Sequence, residues 1–262
     1  MLREAEASPI PDVRLELMGG FRLLADGATA DIVGNAERLL AYLALTGPVA
    51  RAVVAGTLWP DVPEPRALAS LRTAIWQCNR AVDGLVDAGE KRIALAGFVR
   101  VDTAALADLA ALPDDGAASV LRGLRGELLP GWYDDWVLLD RERLRQLRLQ
   151  GLEDVALRLA ARGSFAAAYE LAFEAVRGEP LRESAHRAVI AVHLAQHNIV
   201  EAVREYHRFR HLLVDELGVE PSAELADLVF GRRPTPGRRA AHDLHSPTRA
   251  QPVGARSATS RR

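Results

Sequence analysis

Arg72, Thr73 and Gln77 stand at steps of one, four and five in a stretch whose apolar residues, Leu68, Leu71, Ile75, Cys78 and Val82, recur every three or four positions. The spacing predicts a helix over residues 66–86 with the three polar side chains close together on its outward face. A guanidinium donates bidentately to guanine, a carboxamide pairs with adenine and a threonine methyl touches the methyl of thymine. The trio therefore suits the reading of base edges in a DNA major groove. Arg66, Ser70 and Arg80 flank it toward phosphates. Lys91, Arg92 and Arg100, read as part of a hairpin over residues 91–101, suit the DNA backbone or the minor groove. The same side chains also fit an ordinary solvated helix face, and the order of the surrounding elements has to decide.

Other chemistry is poorly provided for. His193/His197 and His207/His211 have the i, i+4 spacing that sets two imidazoles on one helical face, but neither pair has the glutamate that a metalloprotease motif places after its first histidine. His193 also falls where an aromatic packing residue is expected in an internal repeat. The sequence holds no phosphate loop, nucleophile elbow or dinucleotide fingerprint. The expectation is a protein with no catalytic residue, no metal and no cofactor, and not an enzyme. Of the four tryptophans, Trp59, Trp132 and Trp136 lie beside apolar stretches at helix boundaries and are expected between the two halves of the chain. Trp76, at the edge of the reading face, is expected to pack as well.

The elements that must position these residues begin with a hairpin over residues 13–24, turning at Gly19-Gly20. A helix over 37–46 stops at Gly47-Pro48, and a second over 51–59 stops at Pro60. Pro65 suits the first turn of the third helix. Strands, three helices and a hairpin give the order of a winged helix-turn-helix with an added N-terminal sheet. Beyond Asp102, placed to cap a helix over 104–111, every periodic segment is helical: 117–124, a long helix opened by Asp134 or Asp135 and closed at Gly163, then 164–177, 182–197, 199–217 and one opened by Pro221 and running to Phe230. Residues 152–175 laid over 186–209 match at an offset of 34 residues, with Val155/Val189, Ala161/Ala195 and Ala168/Ala202 identical. That period is the tetratricopeptide pattern.

The 262 residues carry 33 Lys+Arg against 35 Asp+Glu and one cysteine. A single cysteine excludes an internal disulfide scaffold and a cysteine-rich zinc finger. No stretch approaches the roughly 20 consecutive apolar residues of a membrane span, and residues 1–12 lack an apolar signal core, so a cytoplasmic protein is expected. The net charge of −2 conceals opposed segments, among them +1 over residues 13–101, −6 over 127–230 and +7 over 231–262. The last segment, rich in Arg, Pro, Gly, Ser and Thr, is expected to be disordered. It reads either as an electrostatic arm for DNA or as a solvated remnant.

In this order, Leu58-Trp59-Pro60-Asp61, the helix Ala69-Ser70-Leu71-Arg72-Thr73-Ala74-Ile75-Trp76, the junction Leu128-Leu129-Pro130-Gly131-Trp132 and the closing segment from Arg210 through Asp215-Glu216-Leu217-Gly218 to Pro221 resemble the Streptomyces antibiotic regulatory proteins. The resemblance covers residues 13–230. It differs in the back half of the reading helix, Trp76-Gln77-Cys78-Asn79-Arg80, which carries fewer arginines than is usual in that family. Nothing in these 262 residues resembles a receiver or a nucleotide-binding ATPase domain.

The resemblance implies a mainly α fold with small β content. Its parts are a flexible leader (1–12), a winged helix-turn-helix DNA-binding domain (13–101), a tetratricopeptide-like bacterial transcriptional activation domain (102–230) and a disordered Arg-rich tail (231–262). It implies a sequence-specific transcriptional activator of a secondary-metabolite gene cluster, bound as a homodimer to direct repeats in double-stranded DNA upstream of promoters. It further implies contact with RNA polymerase holoenzyme, association with the nucleoid when bound, and no membrane partner. The alternative from another class is a tetratricopeptide adaptor whose winged helix no longer binds DNA.

Overall fold

The computed structural model describes residues 11–89 and 91–231. Val13–Glu16 (β1) and Arg22–Ala25 (β2) form the expected first hairpin, with Val13 opposite Ala25 and Glu16 opposite Arg22. Alternation turns Val13, Leu15 and Leu23 fully inward. Ala28–Thr29 (β3) returns along β2 through Asp26-Gly27, both at positive φ, the two-residue turn whose twist suits paired strands.

Three helices follow: α1 (Asn35–Thr46), α2 (Arg51–Leu58) after the short strand β4 (Val49–Ala50), and α3 (Glu64–Ala81). Pro65 lies in the first turn of α3, where its missing N–H costs nothing. The helix buries Ala67, Leu71, Ala74, Ile75 and Cys78 against α1 and α2. It ends at Ala81, short of the expected Val86, because Val82 is extended and Gly84 takes a positive φ. The residues released build β5 (Val86–Ala88), which pairs antiparallel with β6 (Arg92–Leu95), and β4 joins β6 on its other edge.

The wing is therefore the β5–β6 hairpin, and the expected pairing of residues 91–95 with 98–101 is corrected. Val99–Val101 (β7) leaves the wing and pairs parallel with β1, giving a four-stranded sheet of order β3-β2-β1-β7. The helix expected over 104–111 is also corrected, to two short 3-10 turns, Asp102–Leu106 and Leu109–Ala111. Asp102 caps neither. Its Oδ2 accepts the backbone N–H groups of Leu17 and Met18, 2.9 Å each, and so ends β1. Burial pushes this carboxyl above the usual aspartate range despite those two bonds.

The remaining chain is helical: α4 (Asp114–Gly123), α5 (Asp135–Ala161), α6 (Phe165–Gly178), α7 (Glu183–Ala195), α8 (Ile199–Leu217) and α9 (Ala223–Phe230). Helix α9 starts at the N-cap Ser222, whose hydroxyl accepts from the Leu225 N–H, so Pro221 precedes the helix instead of opening it. The 34-residue offset maps hairpin α5–α6 onto α7–α8. Val155 and Val189 are both buried, as are Ala168 and Ala202.

At two matched positions the repeats diverge. Leu152 and Leu171 of the first are apolar and fully buried, whereas the second places His186 and Glu205 there, equally enclosed. His186 Nε2 donates to the Pro180 carbonyl (2.9 Å), Nδ1 lies 2.7 Å from Glu205 Oε1, and the ring stacks on Phe209. Burial drives the Glu205 carboxyl upward, but the His186 bond and the positive charge of His186 and Arg208 outweigh it and hold the carboxyl below the usual range.

The two halves share one core. The Gly19 N–H donates to the Glu127 carbonyl (2.8 Å), the Leu129 N–H donates to the Leu17 carbonyl (2.9 Å), and Met18 bridges Leu128. The backbones approach so closely that a Cβ on Gly126 would sit 3.1 Å from Gly19 Cα, and Gly126 also has φ of +90°. Trp132 stacks on Phe21, Trp136 meets the edge of Tyr42, and Arg38 both pairs with Asp134 and donates to the Leu58 carbonyl (3.0 Å). Among the described residues no helix is long and apolar enough to cross a membrane. The leader up to residue 10 and the tail from residue 232, expected to be loose, lie outside the described residues.

Candidate nucleic-acid interface

An α-helix turns about 100° per residue. On α3 that rotation gathers Arg66, Arg72, Thr73, Trp76, Gln77 and Arg80 within an arc of about 140°, with the buried stripe of Ala67, Leu71, Ala74, Ile75 and Cys78 centred opposite. All six are exposed. Ser70 lies at the half-buried flank of the arc. The Thr73 hydroxyl donates to the Ala69 carbonyl one turn back (3.2 Å), so its methyl is what the residue offers outward.

Electrostatic partners separate these cations from others in the front half. Its ion pairs among the described residues are Arg14–Asp12, Arg22–Glu16, Arg38–Asp134 and Arg100–Asp12. Arg66, Arg72 and Arg80 of α3, Arg51 at the start of α2, and Lys91 and Arg92 at the wing stand in no ion pair among the described residues. Among the described residues, the unneutralised positive charge of residues 13–101 thus lies on the face of α3, at the start of α2 and on the wing.

The wing's attachment to α3 comes from a residue that the sequence did not single out. The Asn79 carboxamide donates to the Val86 carbonyl (3.1 Å) and accepts the Val86 N–H (2.8 Å), joining the last turn of α3 to the first residue of β5. Arg51 was likewise overlooked. It donates to the Gly89 and Ala88 carbonyls (3.1 and 3.3 Å), and Arg92 donates to the Pro48 carbonyl (3.1 Å), so the wing is also fastened to the turn before α2. An asparagine in the last turn of the helix, just ahead of the extended Val82 and Gly84, is the available signal for the first of these contacts.

Two expectations are corrected here. Arg100 is not on the wing: β7 carries it into the N-terminal sheet, where Asp12 neutralises it. Trp76 does not pack. It is 58% exposed, and the Arg80 guanidinium lies over its ring at 5.2 Å from the centroid. Cys78 is fully enclosed, and burial pushes its thiol up to about 12. Among the histidines, His193 packs half-buried on Tyr169 and shares a hydrogen bond with its hydroxyl, while His207 faces Tyr206 and Phe230. Among the described residues no group of three or more His, Cys, Asp or Glu side chains is placed to hold a metal ion.

The sequence model of the bacterial transcriptional activator domain matches residues 93–229, just over half of the chain. The chain belongs to that family. A curated relative, the regulatory protein AfsR of Streptomyces coelicolor, is 28% identical over 243 residues, covering 86% of this chain but only 24% of AfsR. Among solved structures, Mycobacterium tuberculosis EmbR, determined in complex with a low-affinity phosphopeptide, superposes with a TM-score of 0.67 over 84% of this chain and 64% of the EmbR chain, at 20% identity. This activator-family chain therefore spans about a quarter of AfsR and under two-thirds of EmbR. The EmbR likeness shows the fold: a small β-containing N-terminal part followed by helical repeats. The domain match and the relationship to AfsR bear out the resemblance to the Streptomyces antibiotic regulatory proteins.

Proposed function

We propose that this activator-family chain binds duplex DNA in a sequence-specific manner through the outward face of α3 and the β5–β6 wing. Residues 13–101 serve as the reader and residues 102–230 as the activating half. The supporting observation is the segregation of charge: the reader has a net charge of only +1, yet its cations without an ion pair among the described residues are confined to α3, the start of α2 and the wing. Arg72, Thr73 and Gln77 read base edges, Arg66 and Arg80 reach phosphates, and Lys91 and Arg92 bring the wing to the backbone.

So few cations neutralise few phosphates, and each contributes a salt-dependence slope of only about −0.9. Two copies therefore bind side by side on directly repeated half-sites, each adding protein contacts to the other. The helical half, with its excess of acids, meets RNA polymerase and the neighbouring copy. The relationship to AfsR supports control of an antibiotic-type biosynthetic gene cluster, exercised in the cytoplasm.

The test is selection of a duplex from a randomised pool by the full chain, followed by mobility shift and footprinting. A selected sequence, a footprint over two half-sites and a loss of about 10- to 100-fold in affinity with Arg72→Ala are expected. If the wild-type chain selects no sequence, the adaptor reading replaces this one.

A further inference from the structure

The buried stripe of α3 is complete without Trp76. Five smaller residues on the opposite face fill the helix's contact with α1 and α2, and nothing in the fold encloses the indole. Leaving a large apolar side chain in water forgoes the stabilisation that its burial would return. The position is also central. At about 100° per residue, Trp76 projects about 40° from Arg72 and about 60° from Thr73, so it lies between two of the base-reading residues and not at their edge.

Its neighbours define what can cover it. Arg66, Arg72 and Arg80 have no ion pair among the described residues, Thr73 offers a methyl, Gln77 offers an amide, and the sole acid of α3 is Glu64 in its first turn. An anionic surface with apolar points set in it complements such a face. A major groove has that character, because phosphates line its walls and the 5-methyl groups of thymines stand in its floor. Arg80 stacked on the indole holds the ring against free rotation and brings its own charge alongside.

We propose that Trp76 is a specificity-determining DNA contact, its indole packing on thymine 5-methyl groups in each half-site while Arg80, held on the ring, reaches the adjacent phosphate. The inference rests on the reading of α3 as the recognition helix, and it adds an indole surface to the single methyl that Thr73 offers to thymine.

The experiment uses the full chain and the duplex it selects from a randomised pool. Trp76→Ala is expected to weaken the selected duplex about tenfold, the scale for losing one well-buried apolar contact, and a scrambled duplex less than twofold. Replacing single thymidines by deoxyuridine removes only the methyl. At one position per half-site it is expected to weaken wild-type binding about threefold and Trp76→Ala binding not at all. The melting temperature of Trp76→Ala should match the wild type, since the indole supports no packing.

If the chain selects no duplex, the DNA reading itself fails. If the chain binds its duplex but Trp76→Ala and the deoxyuridine substitutions are silent, the Trp76 inference alone is overturned. It is equally overturned if Trp76→Ala abolishes transcription in vitro at full DNA affinity, which would assign the indole to a protein partner.

Discussion

The two halves of this chain use arginine in opposite ways. In residues 127–230, among the described residues, Arg141, Arg143, Arg145, Arg148, Arg158, Arg162, Arg182, Arg187, Arg204, Arg208 and Arg210 all stand within ion-pair distance of a carboxylate, and Arg177 alone does not. In the reader, the arginines of the N-terminal sheet are paired and those of α3 are not. Net charge per segment does not reveal this. A segment of +1 can present a concentrated cationic face when its acids are engaged elsewhere, and a segment with twelve basic residues can offer almost none.

Four single substitutions and one double change would break or sharpen that contrast. The largest effect is expected where the helical half encloses its charge most completely. Glu205→Ala leaves His186 Nδ1 facing no acceptor in a buried site and should cost about 3–5 kcal/mol in denaturant unfolding. The double change His186→Leu with Glu205→Leu recreates the Leu152/Leu171 arrangement of the first repeat and should recover most of that loss. The sign of the pH dependence follows from the depressed carboxyl of Glu205. Its contribution is present above the ordinary glutamate value of 4.5 and is lost as pH falls through the lower folded value. Acid unfolding of the wild type should therefore be steeper than that of the double leucine variant.

Next is the junction. Gly126→Ala places a Cβ against the Gly19 backbone at a positive φ and should destabilise the chain by about 1–3 kcal/mol. Equal unfolding midpoints for Gly126→Ala and wild type would show that the halves are not pressed together there. Arg72→Ala should cost a similar amount, about 1–3 kcal/mol, but in affinity for the selected duplex and with no change in melting temperature. The smallest effect is expected from Arg204→Ala, which removes an exposed i, i+3 pair with Glu201; DNA affinity should be unchanged and stability should shift by about 0.5 kcal/mol or less. A loss of affinity comparable to that of Arg72→Ala would mean that pairing does not distinguish the two sets of arginines.

Most of the architecture could be read from local pattern. Pro65 and the three-four spacing of Leu71, Ile75 and Cys78 placed α3, and the 34-residue offset placed the helical hairpins, because both depend on residues close in the chain. What escaped depends on distant partners. Arg100 looked like part of a wing until β7 paired with β1, more than 80 residues earlier in the chain. Asp102 looked like a helix cap, but the amides of Leu17 and Met18 claimed its carboxylate. Residues 82–86 continued an apolar period, and only Gly84 and the carboxamide of Asn79 turned them into the root of the wing. The candidate reading face was legible in its hydrogen-bonding members. Trp76 was misplaced because an indole near an apolar stripe ordinarily packs, whereas here the stripe was already full.

The junction has a consequence for promoter geometry. Backbone hydrogen bonds, two facing glycines and a tryptophan cluster leave no swivel between reader and repeat, so with α3 seated in the groove as proposed, the azimuth of its entry would fix the azimuth at which the helical half projects from the duplex. B-DNA rotates once in about 10–10.5 base pairs. An insertion of about five base pairs between the protein's site and the promoter would carry the helical half to the far side of the duplex, and about ten would bring it back. Response to the length of that spacer should oscillate with the helical repeat instead of decaying smoothly.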